Sequence, residues 1–409
     1  MLGFRCAVCG TTVDVATPCP FTCPRATPTD WHHVLHPLVE PELPAALDDA
    51  NPFVAYGPRL AWWAFARANG MTEAACVALT RDVADGFGVT PFGRSEALSE
   101  ELGADVWVKD ETGNVGGSHK GRHLVTVLLH LRAAEALRLA DHARRPLAIA
   151  SCGNAAIAAA MLARRVEWPL EVFVPEWADE NVVALLTSLG SSVTPCPRRV
   201  SDPPGDPAVL RFREAVQDGA VPFSVQGPDN ALCLDGGRTL GWELADSGVE
   251  FDRMVVQVGG GALAACVGWG LGASVRLDAV QAEGCAPLER AWGRATALSV
   301  DAVPAHWGDL MTPWTDPHSA ADGIVDDETY DWLGVFEALK RSGGRPLVVP
   351  EAAITGAYAL AGRTGIPVSV TGSAGLAGLL TSAGAPAPGE RVAVIFSGAA
   401  HGVAGSLRP

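Results

Sequence analysis

At 409 residues the chain has room for two or three domains of roughly 100–200 residues each, and 48% hydrophobic with 19% charged residues is globular composition, which excludes a disordered or fibrous protein. A formal net charge of −16 repels phosphate backbones and argues against nucleic acid as a partner. The basic residues divide into 27 Arg and 3 Lys, so each Lys raises the question of what an amine does there that a guanidinium could not.

Residues 1–30 stand apart, with Cys6-x2-Cys9, then Cys19-x3-Cys23, and no periodic apolar pattern between them. Two short-spaced thiol pairs, each on a tight turn, form a candidate structural zinc site of Cys6, Cys9, Cys19 and Cys23; the bland alternative is four reduced surface thiols. The other six cysteines are isolated in apolar surroundings and read as small core residues. No apolar run reaches the roughly 18 residues that span a bilayer, and no basic segment leads into an apolar core. A cytoplasmic protein without a membrane partner is expected.

From about residue 100, apolar β-rich runs alternate with Ala/Leu-rich stretches of helical length. Strands are predicted at 106–108, 147–150, 170–174, 254–258, 277–281, 347–349 and 391–396. Helices are predicted at 124–139, 155–165, 181–189, 262–271, 352–364 and 374–382. Such alternation predicts an α/β fold with open parallel sheets covered by helices on both faces. The Pro/Asp-rich stretch 201–207 reads as a loop or domain crossing, and 299–325 is irregular.

In such folds ligands sit at the carboxyl ends of strands, where helix N-termini offer free N–H groups. Three strand exits are rich in Gly, Ser or Asn. The first, Lys109 through Arg122, passes through glycines into a helix. An amine at a helix N-terminus sits in positive potential, which favours its neutral, nucleophilic form, so Lys120 is the candidate nucleophile; the alternative is a phosphate or carboxylate clamp. Lys109 is followed by two carboxylates that would keep it charged, and Lys340 lies in an ordinary helical stretch. At the second exit, Ser151-Cys152-Gly153-Asn154, Ser151 and the following N–H groups suit a carboxylate, and Asn154 can both donate and accept. At the third, Gly259-Gly260-Gly261-Ala262 exposes N–H groups suited to a phosphate, yet it lacks the dinucleotide fingerprint, and no P-loop occurs.

Together these segments resemble the fold-type II pyridoxal-phosphate enzymes, and within them the threonine synthase-like branch. The resemblance covers nearly the whole chain: the cysteine pairs, Thr90-Pro91-Phe92, Val108 to Glu111, Ser118-His119-Lys120, Ser151 to Ala155, Asp235 to Leu240, Gly259–Gly261, Gln281 to Leu288, and Ser397-Gly398. It implies that Lys120 carries pyridoxal phosphate as a Schiff base and that Asn154 bonds the cofactor's phenolic oxygen. Gly259, Gly260, Gly261 and Ala262 would hold the phosphate, Ser397 would face the pyridine nitrogen, and Ser151 and Gly153 would bind the substrate carboxylate. A hydroxyl does not keep the pyridine protonated, so the cofactor would be a weak electron sink, suited to β- or γ-elimination or replacement.

The sequence departs from the branch around the substrate. His119 replaces a Phe, Gly121-Arg122-His123 follows the Lys where Asp-Arg is usual, and Ala399-Ala400-His401 stands where a Lys is common. A phosphorylated substrate such as O-phosphohomoserine needs cations, for which His119, Arg122, Arg238 and His401 are the candidates. Serine/threonine dehydratase-like or cysteine synthase-like activity, and a non-catalytic scaffold, are the alternatives. The resemblance implies a homodimer acting on a small amino acid. The expected organisation is a leader over 1–30, an extension over 31–94, a small α/β domain over 95–200 and a larger cofactor-binding domain over 201–409.

Overall fold

The computed structural model describes residues 1–400, apart from Pro28, Pro41, residues 141–143 and Pro204; His401 therefore lies outside the described residues. Among the described residues, three sheets organise the fold. A small antiparallel sheet at the N-terminus has the order β2-β1-β3, from β1 (Gly3–Cys6), β2 (Thr12–Asp14) and β3 (Leu35–Leu38).

The largest sheet combines β4 (Phe92–Arg94) and β5 (Asp105–Asp110) with four strands from later in the chain: β10 (Arg253–Gln257), β11 (Arg276–Ala282), β12 (Pro346–Val349) and β13 (Arg391–Phe396). Its order is β12-β11-β10-β13-β5-β4, parallel except where β4 runs antiparallel to β5. The remaining strands, β6 (Leu147–Ala150), β7 (Leu170–Val174), β8 (Ser192–Pro195) and β9 (Val221–Pro222), form a parallel sheet of order β8-β7-β6-β9.

All seven predicted strands are present within a residue or two. Their apolar runs are continuous because both faces are covered, as in β10, which is buried throughout. Two expectations are corrected. Residues 105–110 do not belong with the small sheet: β5 pairs in parallel with β13 from Asp105↔Arg391 to Asp110↔Phe396. Nor does the small sheet end near 200. The Pro/Asp-rich stretch leads into a further helix, Pro207–Gln217, begun by the Asp206 side chain accepting from Ala208 N–H, and the chain then returns to the sheet as β9. The segment 374–382 folds mostly as a tight three-residue-per-turn helix, Ala374–Leu380, where an ordinary helix is expected.

The helix Lys120–Ala136 is the pivot of the molecule. It begins four residues earlier than the apolar pattern suggests and is buried along nearly its whole length. It packs against Ala61–Ala68 from the extension and against Leu232–Ala245, where a Cβ on Gly236 would lie 2.0 Å from the Arg122 carbonyl oxygen. Part of the Asp235-Gly236-Gly237 motif is therefore a helix-packing device. Among the described residues, no helix is long and apolar enough to cross a membrane.

Candidate active site

Lys120 opens its helix at the end of the turn that leaves β5. That turn is laced to the residues following β13. His119 N–H donates to the Ser397 carbonyl at 3.0 Å, Ala399 N–H donates to Gly117 O at 2.8 Å, and Ser118 and Gly398 form a bridge. Burial lowers the amine's proton affinity, and the carboxylates of Asp326 and Asp331 partly oppose it. The sequence argument credited the helix N-terminus; burial is the larger cause. Lys109 is locked to Glu243 at 2.6 Å, and the Lys340 ammonium lies 4.4 Å from the centre of the Trp292 ring. Among the described residues Lys120 has neither ion pair nor aromatic partner.

Asn154 begins the helix Asn154–Arg165 after β6, and its Nδ2 would lie 2.7 Å from a Cβ on Gly398. The exits of β6 and β13 thus meet. Asn154 Oδ1 is buried without a partner among the described residues. Half-buried Ser151 precedes it, its hydroxyl accepting Gly153 N–H at 3.4 Å. After β10, Gly259, Gly260 and Gly261 lead into the helix Ala262–Leu271, with Gly261 in the left-handed region at φ +96°. A Cβ on Gly259 would stand 2.6 Å from Asp326 Oδ2 and 2.8 Å from Ile324 Cα, so this loop lies tightly against the segment carrying Asp326. Burial raises Asp326 to about 6 and Asp331 to about 7.

Ser397 is buried, and its hydroxyl lies 2.6 Å from Gln257 Nε2 at the end of β10. Sequence reasoning missed Gln257, Asp326 and Asp331. The signal for Gln257 was an amide closing an otherwise apolar strand. Asp326 and Asp331 sit in an acidic run that reads as solvated surface.

Two proposed substrate contacts are differently employed. Arg122 is buried, with Nε 2.8 Å from Glu111, Nη1 2.6 Å from Glu243, and further bonds to Thr90 and Thr239. All its nitrogens are spent inside the protein, which corrects its assignment to substrate. His119 presents Nδ1 to the Ser397 carbonyl at 3.0 Å, so that nitrogen carries the hydrogen. Burial and neighbouring Lys120 hold the ring uncharged, and its Nε2 has no partner among the described residues. It is not a cation. Arg238, the further candidate, is paired with Asp235 at 2.9 Å and lies over the Trp242 ring.

At the N-terminus, the Sγ atoms of Cys6, Cys9 and Cys23 and a ring nitrogen of His33 all lie within 4.8 Å of one another. His33 takes the place expected for Cys19, which is not in the group. The cause is strand pairing: β3 runs antiparallel to β1 with Cys6 opposite Leu35, which brings His33 Nδ1 to 3.3 Å from Cys6 Sγ. His33 Nε2 faces Asp30 at 3.5 Å, the outer carboxylate that commonly orients a metal-binding imidazole.

Two parallel-containing sheets, a lysine turn between them, and a glycine loop and a serine at adjoining strand ends define a fold-type II pyridoxal-phosphate enzyme. The family model described as pyridoxal-phosphate dependent enzyme matches residues 83–398, and the chain belongs to that family. It is 34% identical over 185 residues to the mouse protein named serine dehydratase-like, covering 45% of this chain and 52% of that one. The chain thus spans about half the length of that relative. It is 26% identical over 316 residues to L-threonine ammonia-lyase of Thermotoga maritima, covering 76% and 70%. The processed threonine deaminase isoform 2 of Solanum lycopersicum shares the fold, with a TM-score of 0.63 at 18% identity, covering 90% and 96%.

Proposed function

We propose that this chain is a pyridoxal-phosphate lyase that eliminates the β-substituent of a small hydroxy amino acid of the serine or threonine class. The observation that carries the proposal is the meeting of Lys120, Asn154, the Gly259–Gly261 loop and Ser397 at adjoining strand ends. The residues fit the cofactor in three respects: an amine without an ion pair among the described residues, an unspent buried acceptor on Asn154, and a glycine loop leading into a helix N-terminus. In this reading Lys120 holds the cofactor, the N–H groups of Gly259 to Ala262 its phosphate, Asn154 its phenolic oxygen and Ser397 its ring nitrogen. Ser151 and the Gly153 N–H bind the substrate carboxylate.

Bound there, pyridoxal phosphate supplies an electron-withdrawing ring that acidifies the substrate's α-proton. Lys120, its charge disfavoured by burial, is the base that takes that proton. Ser397 offers a hydroxyl where a carboxylate would hold a ring proton, which favours loss of a leaving group over transamination.

The reading of a phosphorylated substrate such as O-phosphohomoserine, which the threonine synthase-like resemblance suggested, is the weaker one. Arg122 and Arg238 are already paired and His119 is neutral, so these three offer no free cation for a phosphate. The names of the relatives point the same way. The test is to supply L-serine, L-threonine and O-phosphohomoserine and to measure the ammonia and 2-oxo acid, or inorganic phosphate, released. Oxo acid from the hydroxy amino acids is expected. Phosphate released from O-phosphohomoserine overturns the substrate class, and a cofactor-loaded chain inert to all three favours the non-catalytic scaffold.

We further propose that Cys6, Cys9, Cys23 and His33 hold a structural zinc ion, and that the enzyme acts as a homodimer. Metal analysis should give about one equivalent per chain, lost in Cys23→Ser and kept in Cys19→Ser. Loss in both variants restores the four-cysteine reading. Sedimentation of the purified chain tests the dimer.

A further inference from the structure

Gln257 closes β10, the strand that leads into the glycine loop, and its side chain is buried between β13 and the short helix Val370–Ser373. Its Nε2 lies 2.9 Å from Gly372 O, 3.3 Å from Thr371 O, 3.5 Å from Ile395 O and 2.6 Å from Ser397 Oγ. The carbonyl oxygens only accept, so they decide which way the amide faces. Turned over, Oε1 would meet three acceptors. The nitrogen therefore donates, and the Ser397 oxygen is the acceptor. Gln257 Oε1 is left buried without a partner among the described residues, so this orientation is held against an unmet acceptor.

Ser397 is thereby polarised. One lone pair is taken by Gln257, its N–H donates to Gly372 O at 3.1 Å, and its carbonyl receives both His119 N–H and the His119 ring. No bond among the described residues uses its hydroxyl hydrogen. We propose that Gln257 is a positioning residue that biases Ser397 toward donating its hydroxyl hydrogen, so that the ring nitrogen it faces accepts that bond through its lone pair and is held without a proton. This rests on the functional reading above and deepens it. A serine free to rotate could either donate to that nitrogen or accept from its protonated form. A serine already accepting from an amide is biased toward the first, and elimination is favoured because the ring withdraws electrons less strongly.

Among the described residues, the titratable groups around this site are His119 and Lys120 on the lysine turn, Asp326 beside the glycine loop, and Asp322, which accepts the Thr371 hydroxyl at 3.0 Å. They are common to wild type and variant, so the difference between the two isolates Gln257.

The experiment is a pH titration of the visible absorption of the cofactor-loaded protein, with the ratio of α-proton exchange or transamination to elimination measured alongside. Gln257→Met preserves volume but cannot donate. Gln257→Leu likewise cannot donate, and it serves if the Met variant does not fold. In either variant the spectral midpoint assigned to the ring nitrogen should rise by about one pH unit, the effect of one hydrogen bond no longer opposing protonation. The side-reaction ratio should rise by about tenfold. In a Ser397→Ala background the same substitutions should add nothing to either quantity, because there is no hydroxyl left to orient. A purely structural Gln257 would lower stability and leave the midpoint unmoved. Loaded variants whose midpoint and ratio match wild type overturn this proposal and leave the lyase reading intact. A wild-type chain that takes up no cofactor overturns both.

Discussion

Lys120 and Arg122 are two positions apart and belong to opposite kinds of polar cluster. Around Arg122, two cations and two carboxylates close on themselves: Lys109 and Arg122 against Glu111 and Glu243, with Thr90, Asn114 and Thr239 taking up remaining donors and acceptors. The charges cancel. Against the cost of burial, Arg122 holds Glu111 below the ordinary carboxylate range. Around Lys120, by contrast, bonding capacity is left over: its amine has no ion pair, and Asn154 Oδ1, His119 Nε2 and Gln257 Oε1 lack partners among the described residues. Buried polar groups are normally satisfied, so the unsatisfied side is the one shaped for a ligand and the satisfied side is the one that holds the fold.

The comparison is tested most severely at its two centres. Lys120→Ala should leave a folded chain without the visible absorption of bound cofactor and with turnover reduced about 10³-fold or more, read by absorption and by oxo acid release. Arg122→Ala should do the reverse. It leaves Glu111 and Glu243 short of a cation in the interior, for a loss of about 3–5 kcal/mol in urea unfolding. Any variant that still folds should bind cofactor with near wild-type affinity. If Arg122→Ala instead kept full stability and lost substrate affinity, the two clusters would have been assigned the wrong way round.

The sequence could show Lys120 but not the job of Arg122, and the reason is geometric. Residues two apart on a helix point roughly 200° from each other, so adjacency in the motif says nothing about shared surroundings. The partner that settles the role, Glu243, is 121 positions away. The strands were legible because burial on both faces writes an unbroken apolar run, and the three glycine- or serine-rich exits because backbone N–H groups need small residues near them. His33 was not legible: it joins the thiols through strand pairing and not through a short spacing. The split between sheets was missed because β5 reads like any other apolar strand, and only its register against β13 assigns it.

Asp331 offers a pH test of intermediate size at the edge of the open cluster. Its carboxyl is buried, accepts Gly227 N–H at 3.1 Å to each oxygen, and is raised by burial to about 7. In the unfolded chain it titrates near about 3.9. The folded state therefore binds more protons between those values. The stability this confers is complete below the unfolded value and is lost as pH rises through about 7. Urea unfolding of the cofactor-free protein should show this loss as about 2 kcal/mol between pH 5.5 and 8, and Asp331→Asn should remove that part of the slope. An unchanged slope would mean that its two backbone donors already stabilise the carboxylate fully, which would place Asp331 with the satisfied groups.

The smallest effect is expected at Asn154, and it bears most directly on whether unspent valence marks the ligand. Removing the amide from the cofactor-free chain deletes a buried acceptor that has no partner among the described residues, so Asn154→Ala should leave thermal stability nearly unchanged. With cofactor present, the same substitution removes one hydrogen bond to it. Affinity should fall by about tenfold, measured by titrating the visible absorption. The Nδ2 position against Gly398 gives the methyl of alanine no clash, since the longer side chain already occupies that space. A loss of stability without a loss of cofactor affinity would show that Asn154 serves the junction between the exits of β6 and β13. Unmet hydrogen-bonding capacity would then no longer distinguish the two sides of the Lys120 helix.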